Sequence, residues 1–269
     1  MNCCICGPVK NCGPYLKKVF ENIEKIGDLF DDYTILIYYD KSNDNTLQLL
    51  KEYQLKNPKL HFYVNKSPVT KFRTHNIAIA RNYCLNFVRN NKNQFPFFIM
   101  MDFDDVNCKF CNPEILKKYL KRKDWDGLSF NTSPKYYDIW GLSIYPYCFS
   151  YNHFENNVKY YYSIQKYISN LLNKIPSGGL LPCISSFNGF SIYRTEKFLN
   201  TYYDGRIRID LIPIKNMQAH MTATNSKLVY KKYVTTDCNY EDCEHRAFHI
   251  QATQKSGARI MISPEILFF

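Results

Sequence analysis

Phe97-Phe98-Ile99-Met100-Met101-Asp102-Phe103-Asp104-Asp105 sets an unbroken apolar run directly against three carboxylates. A short apolar run without polar alternation has the pattern of a strand buried on both faces, as in a parallel sheet. Carboxylates this close repel one another and require a compensating positive charge. Hard oxygen donors suit Mg²⁺ or Mn²⁺, ions that keep positions open for the phosphates of a bound substrate. One Asp would be enough to cap a following helix, and three exceed that need.

Towards the N-terminus the chain alternates apolar runs with amphipathic stretches. Cys3 to Cys6 reads as a short strand leading into the loop Gly7-Pro8-Val9-Lys10-Asn11. Tyr15, Leu16, Val19, Phe20, Ile23 and Ile26 then recur at helical spacing. Thr34 to Tyr39 is a second buried strand, ending at Asp40 and the polar turn Lys41-Ser42-Asn43-Asp44-Asn45. Asp44 or Asn45 is the expected cap of a helix carrying Leu47, Leu50 and Tyr53. Leu60 to Val64 is a third strand, and a helix follows from about Arg73 to Val88 with the stripe Ile77, Ala80, Cys84 and Val88. Strands alternating with helices predict an α/β fold whose parallel sheet carries helices on both faces. Ligands of such sheets sit beyond the carboxyl ends of the strands, where the loops at Gly7, Asp40, Ser67 and Asp102 begin. Arg73 and Arg81, eight positions apart, lie two helical turns from each other near one face. Guanidinium groups suit phosphate oxygens there.

The length of 269 residues and 45% hydrophobic content allow one domain or two closely fused lobes. The net charge of +11 favours anionic partners such as nucleotides. The positive residues are scattered without a long basic run or a recognition module, so nucleic acid is not an expected partner. Eleven cysteines with no leader sequence ahead of them point to free thiols in a reducing, cytoplasmic compartment. No window is apolar for long enough to form a transmembrane segment. Cys108-x-x-Cys111 has zinc-ligand spacing but lacks a matching pair, so the cysteines are expected to be buried as small apolar groups.

Beyond Asp105 the expected elements are a helix over Pro113 to Leu120 and a strand over Trp125 to Phe130. A helix over Tyr160 to Leu172 is broken by Pro176-Ser177-Gly178-Gly179, and further strands are expected at Phe190 to Tyr193 and Lys227 to Tyr233. Arg206 and Arg208, alternating with Ile207 and Ile209, suggest a strand edge. Tyr136-Tyr137-Asp138-Ile139-Trp140 joins a carboxylate to aromatic faces, either a sugar pocket or an aromatic core. Phe187-Asn188-Gly189-Phe190 reads as a tight turn or a close backbone approach to a ligand. Glu241-Asp242-Cys243-Glu244-His245-Arg246-Ala247-Phe248-His249 is the second dense constellation. On a helix His245 and His249 share a face with Glu241, and Asp242 neighbours His245. The HExxH order of metalloproteases is absent.

Asp102-x-Asp104 behind its strand resembles the DxD motif of GT-A glycosyltransferases. Ile5 to Asn11 resembles their nucleobase-holding segment, Asp40 with Ser42-Asn43-Asp44-Asn45-Thr46 resembles their DD-S-x-D-x-T turn, and Ile79-Ala80-Arg81-Asn82 resembles their ARN helix. Lys41 departs from the pattern, where many members carry a second Asp. The resemblance implies a GT-A (Rossmann-like) fold, a mainly parallel sheet flanked by helices with a fused acceptor-binding half. Residues 1–105 would be the nucleotide-sugar-binding half and 106–269 the acceptor-binding and catalytic half. It implies metal-dependent transfer of a sugar from a nucleotide-sugar donor, a UDP-sugar ahead of a GDP-sugar, to a glycan or other hydroxyl acceptor. Mn²⁺ or Mg²⁺ would be held by Asp104 with His245 or His249. Gly7, Pro8, Val9, Asp40, Arg73, Arg81, Asp102 and Trp140 would contact the donor. Asp242 would deprotonate the acceptor, with Glu241 as its rival. The alternatives are a nucleotidyltransferase that makes the donor, for which the first loop is poor in Gly and Arg, and a non-enzymatic glycan- or nucleic-acid-binding protein.

Overall fold

The computed structural model describes residues 1–155, 157–228 and 241–269. Its first half alternates β1 (Asn2–Val9), α1 (Gly13–Gly27), β2 (Asp32–Tyr39), α2 (Thr46–Lys56), β3 (Leu60–Val64), α3 (Arg73–Asn90) and β4 (Phe97–Met101). Next come α4 (Pro113–Leu120), β5 (Gly127–Asn131), α5 (Asn157–Lys174), β6 (Leu181–Cys183) and β7 (Phe190–Arg194). The described chain closes with α6 (Ile214–Thr224), α7 (Glu244–Ser256) and β8 (Ile260–Ile266).

All eight strands form one sheet in the order β3-β2-β1-β4-β7-β5-β8-β6. β3, β2, β1 and β4 run parallel; β7 is antiparallel to β4 and β5; β8 is parallel to β5. Side chains of each strand alternate between the faces, as the pleat requires. Cys3 and Ile5, Ile35 and Ile37, and Phe97, Ile99 and Met101 face one core with the apolar stripe of α1. Cys4 and Cys6, Leu36 and Tyr38, and Phe98 and Met100 face the other, with Ala80, Cys84 and Val88 of α3 and Phe248 of α7. Runs apolar at every position are the sequence mark of strands covered on both sides. Most of the cysteines among the described residues are buried, and all of those are free, as small apolar packing groups.

The second half is less regular. α5 packs Ile164, Ile168 and Leu172 over Tyr136, Ile139, Leu142 and Ile262. It ends before Pro176, with Gly178 at φ 80 in the break. Three elements lie outside the sequence expectation: β6, α6 and β8, the last of which carries Pro264 and Glu265 and pairs with β5 across the whole length of the intervening chain. Where a strand edge is expected, Arg206 makes a single bridge to Glu241, and a short helical turn follows at Ile209–Leu211. The strand expected over Lys227 to Tyr233 falls mostly outside the described residues, and Leu228 bridges Phe154.

Gly7, expected to contact the donor, has a structural task. A Cβ there would stand 2.1 Å from the Met101 carbonyl oxygen, so only glycine lets β1 pass the end of β4. Gly7→Ala is expected to destabilise the fold by about 2–3 kcal/mol, since backbone cannot rotate aside as a side chain can. Urea denaturation at an unchanged m-value would show it.

Candidate active site

A cleft of about 980 Å³ opens at the carboxyl ends of β1, β2, β3 and β4. Pro8 and Val9 line it from β1, and Asp40 from the end of β2. Gly7 is buried and does not line the cleft. Burial alone would raise the pKa of Asp40. Hydrogen bonds from Asn65, Lys10 and the Lys41 N–H outweigh it and hold this carboxyl below its ordinary range. The turn after Asp40 clips two helix starts together. The Asp44 carboxylate accepts from Gly13 N at 2.9 Å and Thr46 N at 3.0 Å, satisfying an orphan donor at the start of both α1 and α2. Asn45 makes no side-chain cap bond.

The aspartate loop is fixed from across the sheet. Asn188 and Gly189 both have positive φ, 53° and 81°, in a tight turn closed by Phe190 N to Phe187 O. That turn presents the Gly189 carbonyl to Asp102 N at 2.9 Å and to the Asn107 amide at 2.7 Å. The same Asn107 amide also reaches the Asp102 carbonyl, at 2.7 Å. The loop is thus a preformed edge of the cleft.

Arg81 is the charged centre of the floor. It is buried, donates from Nε to Glu244 Oε1 at 2.8 Å and from Nη2 to Asp102 Oδ1 at 2.8 Å, and lies over the Phe187 ring. Burial works to lower its pKa, but the charges of Asp102 and Glu244 prevail and raise it. Its third nitrogen, Nη1, is buried without a hydrogen-bond partner among the described residues. Arg73, exposed at the first turn of α3, lines the same cleft.

Asp104 lies next to this group, also on the cleft, with Oδ1 accepting from Val106 N at 3.2 Å. Burial first, then the charge of Asp102, pushes its carboxyl up to about 7. No three His, Cys, Asp or Glu side chains among the described residues converge into a complete metal cage. A carboxylate that needs a cation, in an open site without a cage, fits an ion of the Mg²⁺ type, which is bound through one or two carboxylates plus substrate phosphates.

The two histidines part company. His245 lines the cleft, stacked on Phe187 at 3.7 Å, and neither ring nitrogen has a hydrogen-bond partner among the described residues. Burial, then the Arg81 charge, drives its pKa well down, so the ring is neutral and has a lone pair to offer. His249 does not line the cleft. Its Nδ1 pairs with Ser185 Oγ at 2.9 Å and its Nε2 with the Tyr193 hydroxyl at 3.0 Å, so both nitrogens are occupied. Burial, then Arg246, pushes its pKa down to about 3.

The two acids expected as base are also set back from the cleft lining. Asp242 is buried, accepts from Arg246 Nε at 2.8 Å and from Cys243 N at 2.8 Å, and has His153 Nε2 at 3.6 Å. Burial would raise its pKa, and Arg246 and His153 reverse this. Arg246 continues to the carbonyls of Trp140 and Leu142, so the pair anchors the 140–143 segment to α7. Glu241 Oε1 accepts from Thr74 N at 2.8 Å and Thr74 Oγ1 at 3.2 Å, capping α3.

Trp140 lines the cleft, with its indole Nε1 buried and unpartnered among the described residues. Asp138 and Phe187, read from the sequence only as parts of a possible sugar pocket and of a turn near a ligand, also line the cleft, as does Glu244, which had no assigned role. Glu244 had a signal, an acid two positions after Asp242 at a helix start; Asp138 had one as well, a lone acid among aromatics.

Among solved structures the chain is similar to residues 1–349 of S. aureus TarS, with 14% identity over 89% of this chain and 59% of that one, at a TM-score of 0.42. The same TarS segment in complex with UDP-GlcNAc gives 16% identity, 89% and 57% coverage, and a TM-score of 0.43. The mannosyltransferase PcManGT from Pyrobaculum calidifontis, in complex with GDP-Man and Mn²⁺, gives 12% identity, 76% and 47% coverage, and a TM-score of 0.40. The chain therefore spans less than two thirds of the length of each. No curated protein matches the sequence significantly. The family model of glycosyl transferase family 2 aligns with residues 4–177, well over half of the chain, and the protein belongs to that family of enzymes.

Proposed function

We propose that the protein transfers a sugar from a nucleotide-sugar donor, a UDP-sugar ahead of a GDP-sugar, to a hydroxyl of a glycan or other acceptor. The observation that carries this reading is the Asp104 carboxyl, pushed up to about 7 beside Asp102 at the mouth of a parallel sheet. Such a group is fully ionised at neutral pH only with a cation beside it. Residues 1–105 then receive the nucleotide and residues 106–269 the acceptor.

In this reading Pro8, Val9 and Asp40 meet the base and ribose, with Asp102 near the ribose or a bridging water. Arg73 and Arg81, whose Nη1 has no partner among the described residues, bring positive charge to the diphosphate, where charge grows as the sugar leaves. Asp104, with His245 on the same cleft, would hold Mn²⁺ or Mg²⁺, which supplies further charge neutralisation at the phosphates. Trp140 offers an aromatic face to a sugar ring. The net charge of +11 draws an anionic donor towards the protein. No helix among the described residues is long and apolar enough to cross a membrane.

Thermal unfolding with UDP or GDP plus Mn²⁺ tests this directly. Nucleotide at a hundredfold excess over its Kd stabilises by about 2.7 kcal/mol, which is a rise of roughly 5–10 °C in Tm for a chain of this size. The rise should require both nucleotide and metal. A Tm unmoved by either nucleotide with Mn²⁺ would remove the donor site.

A further inference from the structure

Six carboxylates line the cleft: Asp40, Asp102, Asp104, Asp105, Asp138 and Glu244. Asp40 is paired with Lys10 at 3.1 Å, and Asp102 and Glu244 share Arg81. Asp105 follows Asp104 of the proposed cation site in the chain, and its charge acts on that carboxyl. Asp138 alone is left with neither a cationic partner within ion-pair distance among the described residues nor a place in that cluster. It is held by backbone: Gly141 N donates to Oδ1 at 2.9 Å, and Asn188 N reaches Oδ2 at 3.4 Å. A Cβ on Gly141 would stand 2.5 Å from Oδ2, so that glycine makes the seat for the carboxylate. Trp140 lines the same wall, its indole N–H still without a partner among the described residues. Asp242 has its carboxylate oxygens taken up by Arg246 and Cys243 N and does not line the cleft.

We infer that Asp138 is the base that deprotonates the acceptor, with the Trp140 indole beside it to receive the acceptor's polar edge. This rests on the glycosyltransferase reading of the cleft. In the step, the acceptor O–H proton passes to an Asp138 oxygen as the acceptor oxygen bonds to the anomeric carbon. The bond from that carbon to the diphosphate oxygen breaks, its electron pair leaving with the nucleoside diphosphate. Asp138 later returns the proton to water. Burial lifts the Asp138 carboxyl above its ordinary range; the Gly141 and Asn188 N–H groups and Arg246 oppose this, and Asp102 adds to it. Cys243, Tyr136, Tyr137 and Tyr151 are the other titratable groups facing it. A base lifted towards neutral pH takes a proton more effectively.

The test uses UDP-sugars and GDP-sugars with Mn²⁺ and reads release of nucleoside diphosphate, with water or azide as the attacking group. Azide has no proton to lose. Asp138→Asn should lower water-dependent release by about 10²-fold or more and leave the nucleotide-induced Tm shift in place. Azide should restore release in the variant, giving the glycosyl azide. Asp242→Asn should instead lower stability, and azide should restore nothing in it. Asp138→Asn hydrolysing at the wild-type rate overturns the inference, as does a variant that binds nucleotide yet stays slow with azide. Should that variant fold poorly, the wild type decides alone: at saturating Mn²⁺, which would keep Asp104 ionised, its water-dependent rate must fall on acidification while its azide-dependent rate holds. Parallel decline of the two rejects the base. A wild type that releases nothing from any donor, and that no nucleotide stabilises, sinks the transferase reading and the base with it.

Discussion

Asp104→Asn is expected to abolish sugar transfer while making the metal-free protein more stable at pH 8. The activity loss should reach about 10³-fold, because several kcal/mol of charge stabilisation at the phosphates would depend on the ion it is proposed to hold. The gain in stability has a separate origin. In the folded protein the Asp104 carboxyl keeps its proton up to about 7, while in the unfolded chain it gives it up at about 4. Between those values the folded state binds more protons, so stability present below pH 4 drains away as pH rises through 7. At about 1.4 kcal/mol per unit the loss is bounded near 4 kcal/mol, and solvent screening at the cleft reduces it to roughly 2. Asparagine carries no such proton. Urea denaturation in EDTA should give matching curves for wild type and variant near pH 4, and a variant ahead by about 2 kcal/mol at pH 8. Saturating Mn²⁺ should flatten the wild-type slope. Curves that stay parallel across this range would mean that Asp104 ionises without cost, and the case for a bound cation would go with it.

The contrast between Asp104 and its expected partners shows how far the sequence reaches. Strands β1 to β4 are legible because each is apolar at nearly every position and each ends at a polar loop. The loops at their carboxyl ends are therefore legible too, and Pro8, Asp40, Arg81, Asp102 and Asp104 do meet on one cleft. Spacing along α7 is a weaker guide. Every residue from Glu244 to Ala252 is buried, so no polar face marks which side meets the ligand. His245 and His249, four apart, stack on each other at 5.7 Å, yet the ring of one reaches the cleft and the nitrogens of the other end on Ser185 and Tyr193. Asp242 looks like a free acid until Arg246, one turn on, comes round to meet it. β8 was out of reach for another reason. Its pairing with β5 joins residues more than a hundred positions apart, and Ser263, Pro264 and Glu265 interrupt the apolar run that would have marked it. Periodicity reports local order, whereas these placements are set by long-range contacts.

Arg81→Met should be the most damaging single change on the cleft floor, and its damage can be separated into two parts. The guanidinium balances Glu244, whose side chain is 6% exposed, and Asp102, at 26%. Removing one member of a buried ion pair costs about 3–5 kcal/mol, since the partner charge is left in a medium that cannot solvate it. Asp102 can turn to water in the cleft, so most of the penalty falls on Glu244. Burial already raises the Glu244 carboxyl and Arg81 restrains it, so losing Arg81 must raise it further. The folded variant then holds a proton that the unfolded chain releases, and its stability should recover on acidification and fall again as pH rises. Arg81→Met/Glu244→Gln deletes both charges and should regain most of the lost stability at neutral pH. It should regain no transfer activity if the Arg81 guanidinium serves the diphosphate as proposed, because Nη1, unpartnered among the described residues, is absent from both proteins. Denaturation curves and donor turnover on the single and double variants separate the roles. A double variant that is stable and still transfers sugar would reduce Arg81 to a counter-ion for Glu244 and leave the diphosphate to Arg73 and the metal site.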